Sequence, residues 1–182
     1  IIGAGKMGKG LINQMSRING MIPSLVVNRH IDKAIEALIS SGISRDEIVE
    51  TDSLKDANYY LEKGRFVVSE NIELATKANI IDAVVDATGV PEVGANVALS
   101  AIDNRKHVIM LNVETDAVVG PILYKKAREA GVVYTGTAGD EPGATMELYN
   151  FAKGLGFEIL AIGKGKNNPL NVEANPDTVY ED

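Results

Sequence analysis

Short apolar runs alternate with segments of helical periodicity along most of this chain. Downstream of Gly8, apolar residues from Leu11 to Ile18 recur at the spacing of one helix face, until Gly20 and Pro23 end the segment. The same pattern predicts further helices over residues 31–41, 53–62, 72–78, 91–102, 121–130 and 142–155. Strands are predicted over residues 25–27, 66–68, 83–87, 107–111, 132–135 and 157–162.

The predicted strands are apolar on both faces, and most are separated by predicted helices. This combination is typical of a parallel sheet with helices on either side. The predicted fold class is therefore α/β, a doubly wound parallel sheet of the Rossmann type. Ligands of such sheets bind beyond the carboxyl ends of the strands, so function is expected in the loops that follow them. These loops comprise residues 3–8, 28–30, 88–92, 112–116 and 136–143.

A glycine-rich run, Gly3-Ala4-Gly5-Lys6-Met7-Gly8, stands between the first apolar residues and the first predicted helix. In a dinucleotide site, Gly3 would allow the tight turn, Gly5 the approach of a pyrophosphate, and Gly8 close packing of helix on strand. The free N–H groups at the helix start would face the phosphates, and Lys6 would add positive charge. An ordinary glycine-rich turn is the alternative, but the strand, helix and strand around the run favour a dinucleotide.

The loop after the second predicted strand indicates which nicotinamide cofactor is bound. An Asp or Glu about 20 residues past the glycines would bind the ribose 2′-hydroxyl of NAD. The chain has Asn28 there, followed by Arg29 and His30. Because a cation can pair with a 2′-phosphate, NADP is favoured and NAD remains possible. The competing interpretation is that Arg29 and His30 are solvated loop residues.

Composition and charge exclude several other functions. The 182 residues carry a net charge of −7, which argues against nucleic acid or an anionic membrane as the main partner. The chain has no cysteine and two histidines, so thiolate chemistry, a catalytic triad and a zinc site are not expected and no metal site is predicted. The absence of cysteine suits a cytoplasmic protein.

Two further loops carry candidate cofactor contacts. Thr88 and Gly89 follow a central predicted strand, where a glycine beside a hydroxyl would let the nicotinamide half lie close to the backbone. Asn112 follows the next strand and is predicted to bind the carboxamide or the substrate. Glu114 and Asp116 lie close by, but as acidic residues at the start of a helix they would also be favoured by its macrodipole.

Candidate catalytic residues lie late in the chain. Asp140 and Glu141 would orient a substrate hydroxyl, transfer a proton or hold a divalent cation, although an acid before Pro142 would also stabilise a helix start. Lys164 and Lys166 would place positive charge near a developing alkoxide. A basic surface loop is the alternative for the two lysines.

Several motifs together resemble one family of enzymes. They are Gly3 to Gly8, Val85-Asp86-Ala87-Thr88-Gly89, Asn112-Val113-Glu114, Gly139-Asp140-Glu141-Pro142-Gly143 and the run from Gly163 to Pro169. In these motifs the chain resembles homoserine-dehydrogenase-like oxidoreductases. More narrowly, it resembles the branch that has a C-terminal SAF domain and includes 1-deoxy-D-xylulose-5-phosphate reductoisomerase-like enzymes. It departs from true homoserine dehydrogenases by having Asn112-Val113 where they have Asn-Lys.

The resemblance implies hydride transfer between NADP(H) and a small carbonyl or hydroxy compound, such as a semialdehyde or a sugar or polyol phosphate. Reductoisomerase-like activity and a non-catalytic dinucleotide sensor are the alternatives. Residues 1–163 are expected to form the NAD(P)-binding domain, and residues 164–182 to begin the substrate region. The family's catalytic insertion and SAF domain are not in this sequence, so we expect a portion of a longer protein that forms a homo-oligomer through the missing domain.

Overall fold

The computed structural model describes residues 1–137, 143–163 and 175. The chain forms two compact units, Ile1–Thr137 and Ala138–Asp182. The domain boundary expected after residue 163 stays a prediction. No helix among the described residues combines the length and the apolar character needed to cross a membrane.

Strands and helices alternate throughout the first unit. Its strands are β1 (Leu25–Val27), β2 (Ile48–Glu50), β3 (Phe66–Ser69), β4 (Ala83–Asp86), β5 (His107–Met110) and β6 (Tyr134–Gly136). Its α-helices are α1 (Lys6–Met15), α2 (Ile31–Ser40), α3 (Leu54–Glu62), α4 (Ile72–Lys77), α5 (Pro91–Asp103) and α6 (Val113–Ala130), and a 3-10 turn spans Arg45–Glu47. The second unit contains α7 (Gly143–Gly154).

All paired strands run parallel, in two groups ordered β1-β3-β2 and β4-β5-β6. Ile2 joins the two groups, because it bridges Val27 on one side and Asp86 on the other. Its N–H donates to the Val85 carbonyl and its own carbonyl accepts from the Ala87 N–H, both at 2.8 Å. The segment Ile1–Gly3 therefore occupies the centre of the sheet, with the β1-β3-β2 group on one side and the β4-β5-β6 group on the other. This confirms the doubly wound parallel sheet.

Apolar cores lie on both faces of this sheet. On one face α1 and α2 bury side chains such as Ile12 and Leu38 against Val26 and Val68. On the other face, side chains of α3, α4, α5 and α6 pack against the opposite side of the same strands. Fully burying a Val, Leu or Ile side chain contributes about 1.5–3 kcal/mol each, so the two cores hold the strand ends in a defined arrangement.

Three sequence predictions differ from the structure. α6 begins at Val113 and not at residue 121, because Asn112 caps it by accepting a hydrogen bond from the Thr115 N–H at 3.2 Å, and Pro121 lies inside the helix. β2, which the sequence did not predict, pairs with β3 at the edge of the sheet. Residues 157–162 form no strand, since no strand pairing joins them to the rest of the described chain.

Candidate functional site

The glycine-rich turn has a separate steric reason for each of its three glycines. Gly3 has φ +101°, and a Cβ on it would lie 2.6 Å from the Ala87 carbonyl oxygen. A Cβ on Gly8 would overlap the Gly3 carbonyl oxygen, so α1 packs directly on the turn. A Cβ on Gly5 would meet no atom within 4 Å. Gly3 and Gly8 are thus required by the protein itself, whereas Gly5 faces open space where a ligand can approach.

The first turn of α1 differs in charge from the other helices of this unit. It contains no acidic residue, whereas α2, α3, α4, α5 and α6 each have at least one. Its first residues, Lys6 and Met7, are exposed. Lys6 therefore adds to the partial positive charge at this helix end, and no acid in the same turn neutralises it. Such a helix end favours the binding of an anion.

Asn28 ties the glycine-rich turn to the loop after β1. Its Oδ1 accepts from the Ala4 N–H at 3.0 Å, and its Nδ2 donates to the His30 carbonyl at 2.9 Å. Arg29 and His30 are exposed beside it. Ion pairs among the described residues join Lys9 to Glu36, Lys77 to Glu73 and Lys125 to Glu129, so the Arg29 guanidinium is not paired with a described acid. The loop thus presents a positively charged side chain at the edge of the sheet.

A cluster of polar side chains lies at the carboxyl ends of β4 and β5. We call Asp86, Thr88, Asn112 and Thr115 the carboxyl-edge cluster. The Asn112 Nδ2 donates to Asp86 Oδ2 at 2.9 Å, to the Val90 carbonyl at 3.0 Å and to Thr88 Oγ1 at 3.3 Å. Gly89 follows with φ +69° and is exposed. The predicted cofactor residues Thr88 and Asn112 are thereby brought together.

The two acids in the first turn of α6 have different surroundings. Glu114 is exposed, and its carboxylate accepts no hydrogen bond from another described residue. Asp116 Oδ1 accepts from the Tyr134 hydroxyl at 2.9 Å. Burial raises the pKa of Tyr134, and the hydrogen bond to Asp116 and the charges of Asp116 and Asp86 raise it further. Both acids are at a helix start, as the alternative interpretation of the sequence required.

A third polar group lies beyond β2 and β3. The Ser69 hydroxyl donates to Asp52 Oδ1 at 2.6 Å, and the Glu70 N–H donates to the same oxygen at 3.1 Å. The Ser69 hydroxyl bond lowers the pKa of Asp52 most, although slight burial opposes it. Because the Asn28 N–H donates to the Ser69 carbonyl at 3.0 Å, this group continues the edge that begins at the glycine-rich turn.

Four predicted catalytic residues, Asp140, Glu141, Lys164 and Lys166, lie outside the described residues. Conversely, sequence reasoning assigned no role to Asp86 or Thr115, both fully buried. A signal for Asp86 was present, since it is a single acid within the apolar run of residues 83–87. Thr115 gave no such signal, because its burial depends on how α5 and α6 pack.

A large cavity lies elsewhere in the first unit. Its volume is about 590 Å³, and the segments that enter β1, β3 and β4 provide most of its lining. They include Met21, Ile22, Phe66, Ile80 and Ala83. Because the strands are parallel, segments that enter them lie at the amino edge of the sheet, opposite the glycine-rich turn.

Residues 139–182 match a protein-family model described as "Oxidoreductase DRL, catalytic domain". No curated protein sequence matches the chain. The four residues predicted to be catalytic all fall within the matched range.

The fold is similar to solved dehydrogenase structures. One is the WlbA dehydrogenase from Bordetella pertussis in complex with NADH and UDP-GlcNAcA, at 17% identity and TM-score 0.55, covering 85% of this chain and 41% of that one. Another is a proposed oxidoreductase, yvaA, from Bacillus subtilis, at 15% identity and TM-score 0.55, with coverages of 84% and 38%. A third is a proposed myo-inositol dehydrogenase from Sinorhizobium meliloti, at 15% identity and TM-score 0.54, with coverages of 84% and 40%. This chain thus has a Rossmann-type fold and spans about two fifths of these proteins.

Proposed function

We propose that this chain supplies the nicotinamide-dinucleotide site of an oxidoreductase that transfers a hydride between NADP(H) and a small carbonyl or hydroxy compound. The observation that carries the proposal is the turn from Gly3 to Gly8, in which Gly5 alone faces open space at the centre of the sheet. The match of residues 139–182 to an oxidoreductase catalytic domain supports it. So does the likeness in fold to a dehydrogenase solved with NADH.

The residues at the carboxyl edge divide into three parts of one binding site. Gly5 and the start of α1 would hold the pyrophosphate, because backbone N–H groups and a helix N-terminus favour anions. Arg29 would hold the 2′-phosphate of NADP, with Asn28 fixing its loop. The turn Thr88–Gly89 would lie against the nicotinamide half. When bound, the cofactor supplies the hydride, and the protein supplies orientation and electrostatics.

The substrate would bind through residues of the matched segment. We assign proton transfer or substrate orientation to Asp140 and Glu141, and stabilisation of a developing alkoxide to Lys164 and Lys166. We propose that this segment also determines the reaction and its substrate. A homoserine-dehydrogenase-like reaction would use a semialdehyde, and a reductoisomerase-like reaction would use a sugar phosphate. These assignments are supported by the position of all four residues within residues 139–182.

Replacing Gly5 tests the proposed site. In Gly5→Val the new side chain meets no protein atom within 4 Å of its Cβ, and the residue has an ordinary φ of −71°, so folding should be unaffected. The side chain would occupy the space proposed for the pyrophosphate, and we expect NADPH affinity to fall at least about tenfold, or about 1.4 kcal/mol. Isothermal titration calorimetry would measure the change.

Gly10→Val is the matched control, because a Cβ on Gly10 in the same helix also meets nothing within 4 Å. It should retain wild-type NADPH affinity. Equal affinity in the wild type and Gly5→Val would refute the site. In a full-length protein, NADPH binding without oxidation toward aldehydes or ketose phosphates would instead favour the non-catalytic sensor.

Arg29 allows the choice of cofactor to be tested separately. The Arg29→Ala variant loses the cation proposed to pair with the 2′-phosphate, so we expect its affinity for NADPH to fall about tenfold and its affinity for NADH to change less than about twofold. Lys33→Ala, which removes an exposed cation from the first turn of α2, is the control. Parallel losses for both cofactors, or a wild-type preference for NADH, would contradict the assignment.

A further inference from the structure

The carboxyl-edge cluster places strongly polar groups inside an apolar core. Asp86 and Thr115 are 0% exposed and Asn112 is 1% exposed. Burying a carboxylate or an amide away from water is unfavourable unless its hydrogen bonds are replaced. Asn112 is hydrogen-bonded to both Asp86 and Thr115, and these three buried polar residues require an explanation beyond the packing of a core.

The hydrogen bonds within the cluster engage both the nitrogen and the oxygen of the Asn112 side-chain amide. Its Nδ2 donates to Asp86, Thr88 and Val90, and its Oδ1 accepts from the Thr115 N–H. No buried side-chain N or O atom lacks a partner in the described part of the chain. The amide hydrogens of Asn112 are thus engaged within the protein, and its direct contact with the carboxamide or the substrate stays a prediction.

None of the ion pairs among the described residues involves the Asp86 carboxylate. Its Oδ1 accepts from the Thr88 N–H at 3.0 Å, and its Oδ2 accepts from Asn112. A Cβ on Gly94 would lie 2.5 Å from Asp86 Oδ2 and 2.7 Å from Asn112 Nδ2, so the first turns of α5 and α6 both lie against this carboxylate. Hydrogen bonds from a backbone N–H and a side-chain amide therefore replace the water that burial removes from this carboxylate.

The cluster joins three elements, β4, α5 and α6, at one point. Asp86 ends β4, Asn112 caps α6, and the Thr115 hydroxyl donates to the Pro91 carbonyl at 3.1 Å in the first turn of α5. Thr88 Oγ1 accepts hydrogen bonds from the Asn112 side chain and from the Val90 N–H. These two bonds hold the turn at Gly89 on its buried side. The buried groups therefore determine the position of an exposed turn.

We propose that Asp86, Asn112 and Thr115 are positioning residues for the nicotinamide half of the cofactor, acting through the Thr88–Gly89 turn. This inference rests on the proposed function, since that function places the nicotinamide against the turn. The adenosine half would bind at the other end of the edge, beside Arg29. The cluster consequently supports one half of the site and not the other.

Two probes separate the halves: NADPH, and adenosine 2′,5′-bisphosphate, which lacks the nicotinamide half. The Asn112→Asp variant replaces the amide donor by a carboxylate that faces Asp86. We expect NADPH affinity to fall at least about tenfold, while affinity for the bisphosphate changes less than about twofold. Calorimetry measures both affinities, and the fluorescence of bound NADPH reports on the surroundings of its nicotinamide.

Thr115→Val is a milder second variant, because it keeps the volume of the side chain and removes only the bond to the Pro91 carbonyl. We expect a loss of about threefold for NADPH and no change for the bisphosphate. Thr76→Val is its matched control: Thr76 is also 0% exposed, and it accepts from Ser100, which lies about 13 Å along α5 from Pro91. Because Thr76 also donates to the Glu73 carbonyl at 3.2 Å, the variant should lose at least as much stability as Thr115→Val, and it should leave both affinities unchanged.

Combining Asp86→Asn with Asn112→Asp restores a donor opposite an acceptor and should recover part of the NADPH affinity. The proposal is overturned if the cluster variants weaken both probes equally, if NADPH binding is unchanged, or if Thr76→Val has the same effect as Thr115→Val. A wild-type chain that binds neither probe would instead refute the proposed function itself.

Discussion

At the scale of single residues, Tyr134 shows how a buried group affects the stability of this fold. Its side chain is 8% exposed, and its hydroxyl donates to Asp116. Gly120 leaves the space for this contact, because a Cβ there would overlap the Asp116 carboxylate. Burial and the nearby negative charge both oppose ionisation, so the pKa of Tyr134 is raised. The residue should therefore make stability depend on pH in alkaline solution.

We predict that Tyr134→Phe costs about 1 kcal/mol of unfolding free energy at pH 8, through the loss of one hydrogen bond. In the unfolded chain a tyrosine ionises near pH 10, whereas folded Tyr134 keeps its proton. The contribution of this tyrosine is thus fully present below about pH 10 and is lost as the pH rises further, by up to about 1.4 kcal/mol per pH unit. Urea unfolding between pH 8 and 11 would measure the difference.

The difference between the wild type and Tyr134→Phe should shrink above about pH 10, because the phenylalanine variant lacks the ionising group. Tyr124→Phe is the control, since Tyr124 is 51% exposed on α6 and should leave the pH profile unchanged. If the profiles of the wild type and Tyr134→Phe stay parallel across this range, the explanation is wrong.

At the scale of elements, the sequence predicted those parts whose local pattern agrees with their environment. β1, β3, β4 and β5 are short apolar runs buried between helices, and their largely unbroken apolar character identified them. The predicted start of α6 was wrong because Pro121 resembled a proline in the first turn of a helix. The stronger signal was Asn112, whose side chain caps the helix. β2 was missed because it is three residues long and only Ile48 in it is buried. Residues 157–162 are largely apolar, but they have no partner strand among the described residues.

The candidate site was predictable to the same extent. The glycine-rich turn follows from local sterics, and its geometry could be stated before the fold was known. The contacts of Asn112 could not, because they join residues 22 to 26 positions apart in the chain. Sequence position indicated that Asn112 lies at the carboxyl edge, but only the packing of α5 on α6 shows that its amide faces inward.

At the scale of the whole molecule, two general expectations about binding sites disagree for the first unit. A large apolar cavity is the usual expectation for a ligand site, and the volume of about 590 Å³ is within the range of small-molecule pockets. A doubly wound sheet instead binds ligands at its carboxyl edge, where the strand order reverses. The cavity is at the amino edge and is lined mainly by apolar residues, whereas the carboxyl edge has the anion-favouring start of α1. A dinucleotide carries negatively charged phosphates, and these favour binding at the carboxyl edge over binding in an apolar cavity.

Amide hydrogen exchange of the whole chain, with and without saturating NADPH, would distinguish the two edges. We predict slower exchange in residues 3–8, 28–30 and 88–90, because a ligand bound there adds its binding free energy to the opening of those loops. Residues 20–24 and 80–83, which line the cavity, should exchange as before. Gly5→Val should abolish the protection at the same NADPH concentration. Protection confined to residues 20–24 and 80–83 would place the cofactor in the cavity and overturn the assignment, since a phosphate would then lie among Met21, Ile22 and Ile80.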